Sequence, residues 1–61
     1  MGRAIATART AAEMTQEQLA AETGIDYKRL QKIEAGDVNI TVRTLHRVAT
    51  ALGVAPGGLL D

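Results

Sequence analysis

The segment TQEQLAAETGIDYKRLQKIEAG, residues Thr15 to Gly36, reads as a helix, a sharp turn and a second helix. Thr15 is an N-cap residue whose hydroxyl can accept a hydrogen bond from a first-turn N–H, and Gln18, three residues on, completes a capping box. A helix therefore starts at Gln16. Leu19, Ala20 and Thr23 follow at helical spacing, and Gly24 supplies the left-handed C-cap conformation that a residue with a Cβ resists. Ile25 plugs the core at the corner. Asp26 can cap the N–H groups of Lys28 and Arg29 as a second helix begins.

With so short a connection the helices cannot lie antiparallel along their full length, so they cross steeply. A steep crossing requires a small residue at the contact, and Ala20 meets that need. Leu30 and Ile33, at i and i+3, face inward against Leu19 and Ile25. At about 100° per residue, with Leu30 at zero, Lys28 falls near ~160°, Lys32 near ~200° and Ala35 near ~140°. These share the face opposite the core, flanked by Tyr27 and Gln31 on one side and Arg29 on the other. The second helix buries its aliphatic residues and presents cations, an amide and a phenol outward.

Thr15-Gln16-Glu17-Gln18-Leu19-Ala20, Gly24-Ile25, Leu30, Ile33 and Glu34-Ala35-Gly36 together resemble the helix-turn-helix of the Cro/lambda-repressor-like (XRE-type) DNA-binding family. The resemblance continues through Leu45, the Ala49-Thr50-Ala51-Leu52-Gly53-Val54 segment and Leu59-Leu60, and so covers nearly the whole chain. It implies an all-α fold, a compact bundle of four to five short helices around a central helix-turn-helix, with residues 1–61 as a single domain. It also implies that Arg9 and Glu34 pair across the motif, where the bland reading is two unrelated surface charges.

Sixty-one residues allow one small core, since a chain of this size buries only about 60% of its unfolded surface. The absence of cysteine excludes a disulfide framework and a thiolate metal site, and one histidine cannot build a zinc site alone. No apolar run approaches a membrane span of roughly 20 residues, and no signal-peptide pattern opens the chain, so a cytoplasmic location of bacterial or phage type is expected. The formal net charge is zero, which argues against an overtly basic DNA binder. Its distribution is uneven, however. Glu13, Glu17 and Glu22 precede the second motif helix, whereas Lys28, Arg29 and Lys32 lie on it. Such a field can orient a polyanion while keeping nonspecific affinity low.

Before the motif, Ile5, Ala8 and Ala12 form a narrow apolar stripe in a helix from Arg3 to Ala12, and Met14 fills the corner that follows. After it, Gly36 ends the second motif helix, Ile40 anchors the Asp37-Val38-Asn39-Ile40 loop, and Thr41 caps a helix over Val42 to Leu52. Val42, Leu45, Val48, Ala49 and Leu52 make its buried stripe, with Arg43 and Arg47 on the opposite face. Arg47 is read as solvated. Gly53 ends this helix, Val54 packs back, and Ala55-Pro56 opens a short fifth helix that Gly57 and Gly58 weaken by about 1 kcal/mol each, leaving it frayed or merely a turn. In the family this end commonly forms the dimer contact, so the glycines predict a weak one.

A polar helix face fits the major groove of B-DNA, whose base edges carry a readable donor and acceptor code. The family register assigns base reading to Tyr27, Lys28 and Lys32. Gln16 matches the residue that fixes a backbone phosphate, and Arg29, Asn39, Thr41 and Arg43 are further phosphate candidates. The expected function is sequence-specific double-stranded DNA binding by a transcriptional regulator, a repressor, acting as a homodimer on a partly palindromic operator. The alternative is a protein-interaction module on the same fold, which neutral charge and Ala-rich helices favour. For the cationic cluster taken alone, a solvated helix face is the plain reading. An enzyme is not expected, nor a cofactor: His46 beside Arg43 or Arg47 has no nucleophile, metal set or enclosing pocket to work with.

Overall fold

The computed structural model describes residues 1–60. In chain order it contains α1 (Gly2–Ala11), α2 (Gln16–Thr23), α3 (Tyr27–Ala35), α4 (Val42–Leu52) and a 3₁₀ turn (Pro56–Leu59), with no strand among the described residues. Local chemistry sets most of these boundaries. The Gln18 N–H donates to Thr15 Oγ1 at 3.0 Å and the Thr15 N–H donates to Gln18 Oε1 at 2.8 Å, a complete capping box. Gly24 closes α2 at φ 73°, with its N–H donating to the Ala20 carbonyl. Two residues later Asp26 Oδ2 accepts from the Lys28 N–H at 3.1 Å and α3 begins. Thr41 Oγ1 accepts from the Thr44 N–H at 3.1 Å at the start of α4.

α1 runs one residue earlier at both ends than the Arg3 to Ala12 helix expected from its stripe. Ala12 is its exposed C-cap, outside the core, because the chain reverses immediately after it. The reversal places Glu13 at φ 59°, with its N–H donating to the Thr10 carbonyl at 2.9 Å and the Met14 N–H donating to the Arg9 carbonyl at 3.1 Å. A residue with a Cβ pays about 1–2 kcal/mol for this conformation, a cost glycine escapes. Glu13→Gly is therefore expected to stabilise the fold by about 1 kcal/mol, seen as a thermal midpoint roughly 4–8 °C higher. An unchanged or lower midpoint would show that the glutamate side chain offsets its backbone strain.

Ile5, Leu19, Leu30, Ile33, Val48 and Leu59 are fully buried, and Ala20, Ile25, Leu45, Ala49 and Leu52 complete the core. Met14, Val38 and Ile40 pack against its edge, so the α3–α4 loop is tied down at two points. Thr23 is buried too: its hydroxyl donates to the Leu19 carbonyl at 2.8 Å and accepts from the Ile25 N–H at 3.3 Å. That hydroxyl stitches the helix end to the turn. Because Ala20 is closed in by the core, Ala20→Leu is expected to destabilise by about 1–3 kcal/mol in urea unfolding. An unaltered unfolding midpoint would mean that the surrounding helices leave room at this point.

Two expectations about the C-terminal half are corrected. Val42 is 71% exposed, because it lies in the first turn of α4, about 60° off the stripe centred on Leu45. Val54 contributes its backbone rather than its side chain. Its N–H donates to the Ala49 carbonyl at 3.0 Å, while the side chain stays 40% exposed. The weakened fifth helix is, as expected, a turn: the 3₁₀ segment PGGL, which suffices to bury Leu59 while Leu60 remains outside.

At the other end, Gly2 is buried where α1 meets the last turn of α3. A Cβ there would fall on the Ile33 carbonyl oxygen and lie 2.9 Å from that of Glu34. α1 approaches α3 backbone to backbone.

Candidate nucleic-acid interface

The outward face of α3 rests on a polar cluster at its base. Arg9 Nε donates to Glu34 Oε2 at 2.8 Å and Nη2 donates to Glu34 Oε1 at 3.2 Å, a two-pronged pair. Arg9 Nη1 donates to the Met14 carbonyl at 2.8 Å, and Gln16 Nε2 donates to Glu34 Oε1 at 3.0 Å. One carboxylate thus joins α1, α2 and α3, with the Glu34 side chain only 5% exposed and that of Arg9 17%. The pairing implied by the resemblance is present, and it extends to Gln16. Gln16 commits one amide hydrogen to Glu34, and the second has no partner among the described residues.

On α3, burial of Leu30 and Ile33 turns Lys28, Gln31, Lys32 and Ala35 outward, where they line one shallow depression with Asp37. The side chains of Lys28 and Lys32 have no hydrogen-bond or ion-pair partner among the described residues. The two cations expected to share a face do share one. Tyr27, 39% exposed, stands at the start of the helix, and its hydroxyl oxygen accepts from Gln31 Nε2 at 3.1 Å. Asp37 brings a carboxylate to the same depression, with no side-chain partner among the described residues.

The residues read as phosphate contacts are differently placed. Arg29, Asn39 and Arg43 are exposed, and the side chain of each is without a partner among the described residues. Thr41 is exposed as well, but its hydroxyl donates to Thr44 Oγ1 at 3.0 Å while accepting from the Thr44 N–H. Its side chain serves the cap. What α4 offers outward at this end is its N-terminal dipole and the first-turn N–H groups of Val42 and Arg43. Arg47, read as solvated, is exposed, and it also reaches across to α2, where Nη1 donates to the Thr23 carbonyl at 3.4 Å. No basic residue lies in the last turn of α2, so α4 supplies the cation that its dipole favours. Only the approach of two helices distant in sequence could have shown this.

The helix-turn-helix family matches residues 5–59. The chain belongs to the XRE-type helix-turn-helix family. The helix-turn-helix chain is also similar to the crystal structure of the restriction-modification controller protein C.AhdI from Aeromonas hydrophila. The two are 32% identical, with a TM-score of 0.92 over 97% of this chain and 89% of that one. No curated protein matches it. Family and neighbour agree with the all-α architecture and make this a DNA-binding regulator. No helix among the described residues is long and apolar enough to cross a membrane.

Proposed function

We propose that the chain is a sequence-specific transcriptional regulator that lays α3 in the major groove and acts as a repressor. The observation that carries this is the pair of unpartnered lysines, Lys28 and Lys32, held on one outward face by the buried Leu30 and Ile33. Lysine is a donor only, and guanine O6 and N7 are the acceptors it can meet in that groove. The Tyr27 ring can contact a thymine methyl. Arg29 and Arg43, with Asn39, the spare amide hydrogen of Gln16 and the N-terminus of α4, would grip phosphates on either side. Thr41 acts there through the helix start that it caps.

The regulator works as a homodimer on a partly palindromic operator, with half-sites about one helical turn apart. Exposed Leu60 and Val54 near the C-terminal turn supply apolar surface for a modest contact between copies. The mechanism is binding in the cytoplasm, without chemistry and without a cofactor. Repression follows if the operator overlaps a promoter.

Selection from randomised duplexes tests this reading, and an inverted repeat containing guanines is the expected product. Affinity should also fall with salt. If Arg29 and Arg43 each neutralise one phosphate, the log–log slope is roughly −2 per protomer and roughly −4 per dimer. A protein-interaction module on this fold would recover no sequence and show no association with duplex even at low salt.

A further inference from the structure

The bond between Tyr27 and Gln31 lies on the proposed recognition face, yet neither guanine reading by lysine nor a contact of the Tyr27 ring with a thymine methyl makes use of it. Gln31 lies between Tyr27 and the lysines around α3, in the depression that Lys28, Lys32 and Ala35 line. Among the described residues it is the one side chain on that face that carries a donor and an acceptor side by side. Its amide has two hydrogens and a carbonyl oxygen. One hydrogen is donated to Tyr27 Oη at 3.1 Å. The other hydrogen and the oxygen have no hydrogen-bond partner among the described residues.

We infer that Gln31 reads an adenine, with Tyr27 as the residue that positions it. Adenine presents an N7 acceptor next to an N6 donor in the major groove, and a free amide edge matches both at once. That pairing uses the carbonyl oxygen and one amide hydrogen, so a glutamine that gives its second hydrogen to the phenol can still make it. Tyr27 therefore fixes the plane of the amide without blocking its reading edge. An unheld glutamine loses side-chain freedom on docking, and part of that loss has already occurred here. The Tyr27 ring stays available for an apolar contact, while its hydroxyl is turned along the helix toward Gln31.

The inference rests on the proposed placement of α3 in the major groove, and the test separates the two. Wild type, Gln31→Ala, Tyr27→Phe and Lys28→Ala, each as the full chain, are titrated against the duplex recovered by selection. The same variants are titrated against duplexes carrying 7-deazaadenine, which lacks the N7 acceptor, at each adenine in turn. Wild type should lose about tenfold in affinity at one adenine. Gln31→Ala should become indifferent to substitution at that position and keep its preferences elsewhere. Tyr27→Phe should weaken discrimination at that same position alone, a change that general loss of structure would not produce. Lys28→Ala should move a different position. Full wild-type discrimination in Gln31→Ala, on an operator that wild type binds specifically, overturns the assignment to Gln31 and leaves the groove placement standing. Failure of wild type to bind any duplex overturns both.

Discussion

Arg9→Ala is expected to remove about 3–5 kcal/mol of folding stability, measured by urea unfolding. A domain of this length has a total of only about 3–9 kcal/mol, so the variant should lose at least about a third of its stability. The reason is the asymmetry of the pair. Removing Arg9 leaves the Glu34 carboxylate, 5% exposed, with a neutral amide as its remaining side-chain donor. Glu34→Ala should cost less, because Arg9 is more exposed and keeps the Met14 carbonyl. Arg9→Lys should fall between wild type and Arg9→Ala, since an ammonium cannot reproduce both parallel donors. A loss under about 0.5 kcal/mol for Arg9→Ala would place the pair with ordinary surface ion pairs and deny it the role of a joint between helices.

Lys28→Ala and Lys32→Ala should each cost about 1–3 kcal/mol at the selected operator, or roughly 5- to 100-fold in affinity. Neither should alter stability appreciably, because both side chains are exposed and unpartnered among the described residues. The informative measurement is the pattern across single-base variants of the duplex. A lysine that reads a base relaxes preference at one position. One that touches phosphate lowers affinity for all sequences alike and reduces the salt slope by about one. Uniform weakening by both variants would transfer these residues from base reading to phosphate contact and leave α3 with Gln31 and Tyr27 as its readers.

The motif was legible because its signals are local. Thr15 with Gln18, Gly24, and Asp26 before Lys28 each act within a few residues, so spacing alone exposes them. The inward Leu19, Leu30 and Ile33 followed from helical period, as did the outward lysines, and Ile25 from its place at the corner. What escaped depends on which helix comes near. The reach of Arg47 left no trace because its partner is the Thr23 carbonyl on another helix. Gly2 carried no signal because only the approach of α1 to the end of α3 gives its missing side chain a meaning. Val42 fitted the stripe by period but stands in a first turn left open to solvent. Glu13 was misleading in its own way: a left-handed helix end usually announces itself with glycine, and this one does not.

Asp37 shares the shallow depression with Lys28 and Lys32, and its charge repels every phosphate that approaches, whatever the sequence. Such a penalty falls on random DNA and operator alike, whereas base contacts are recovered only where the sequence fits. The ratio between right and wrong sites is thereby left intact while the time spent on each wrong one shortens. A protein built this way would scan quickly and seldom be held up by bulk chromosome, and neutral overall charge becomes an aid to searching rather than a handicap.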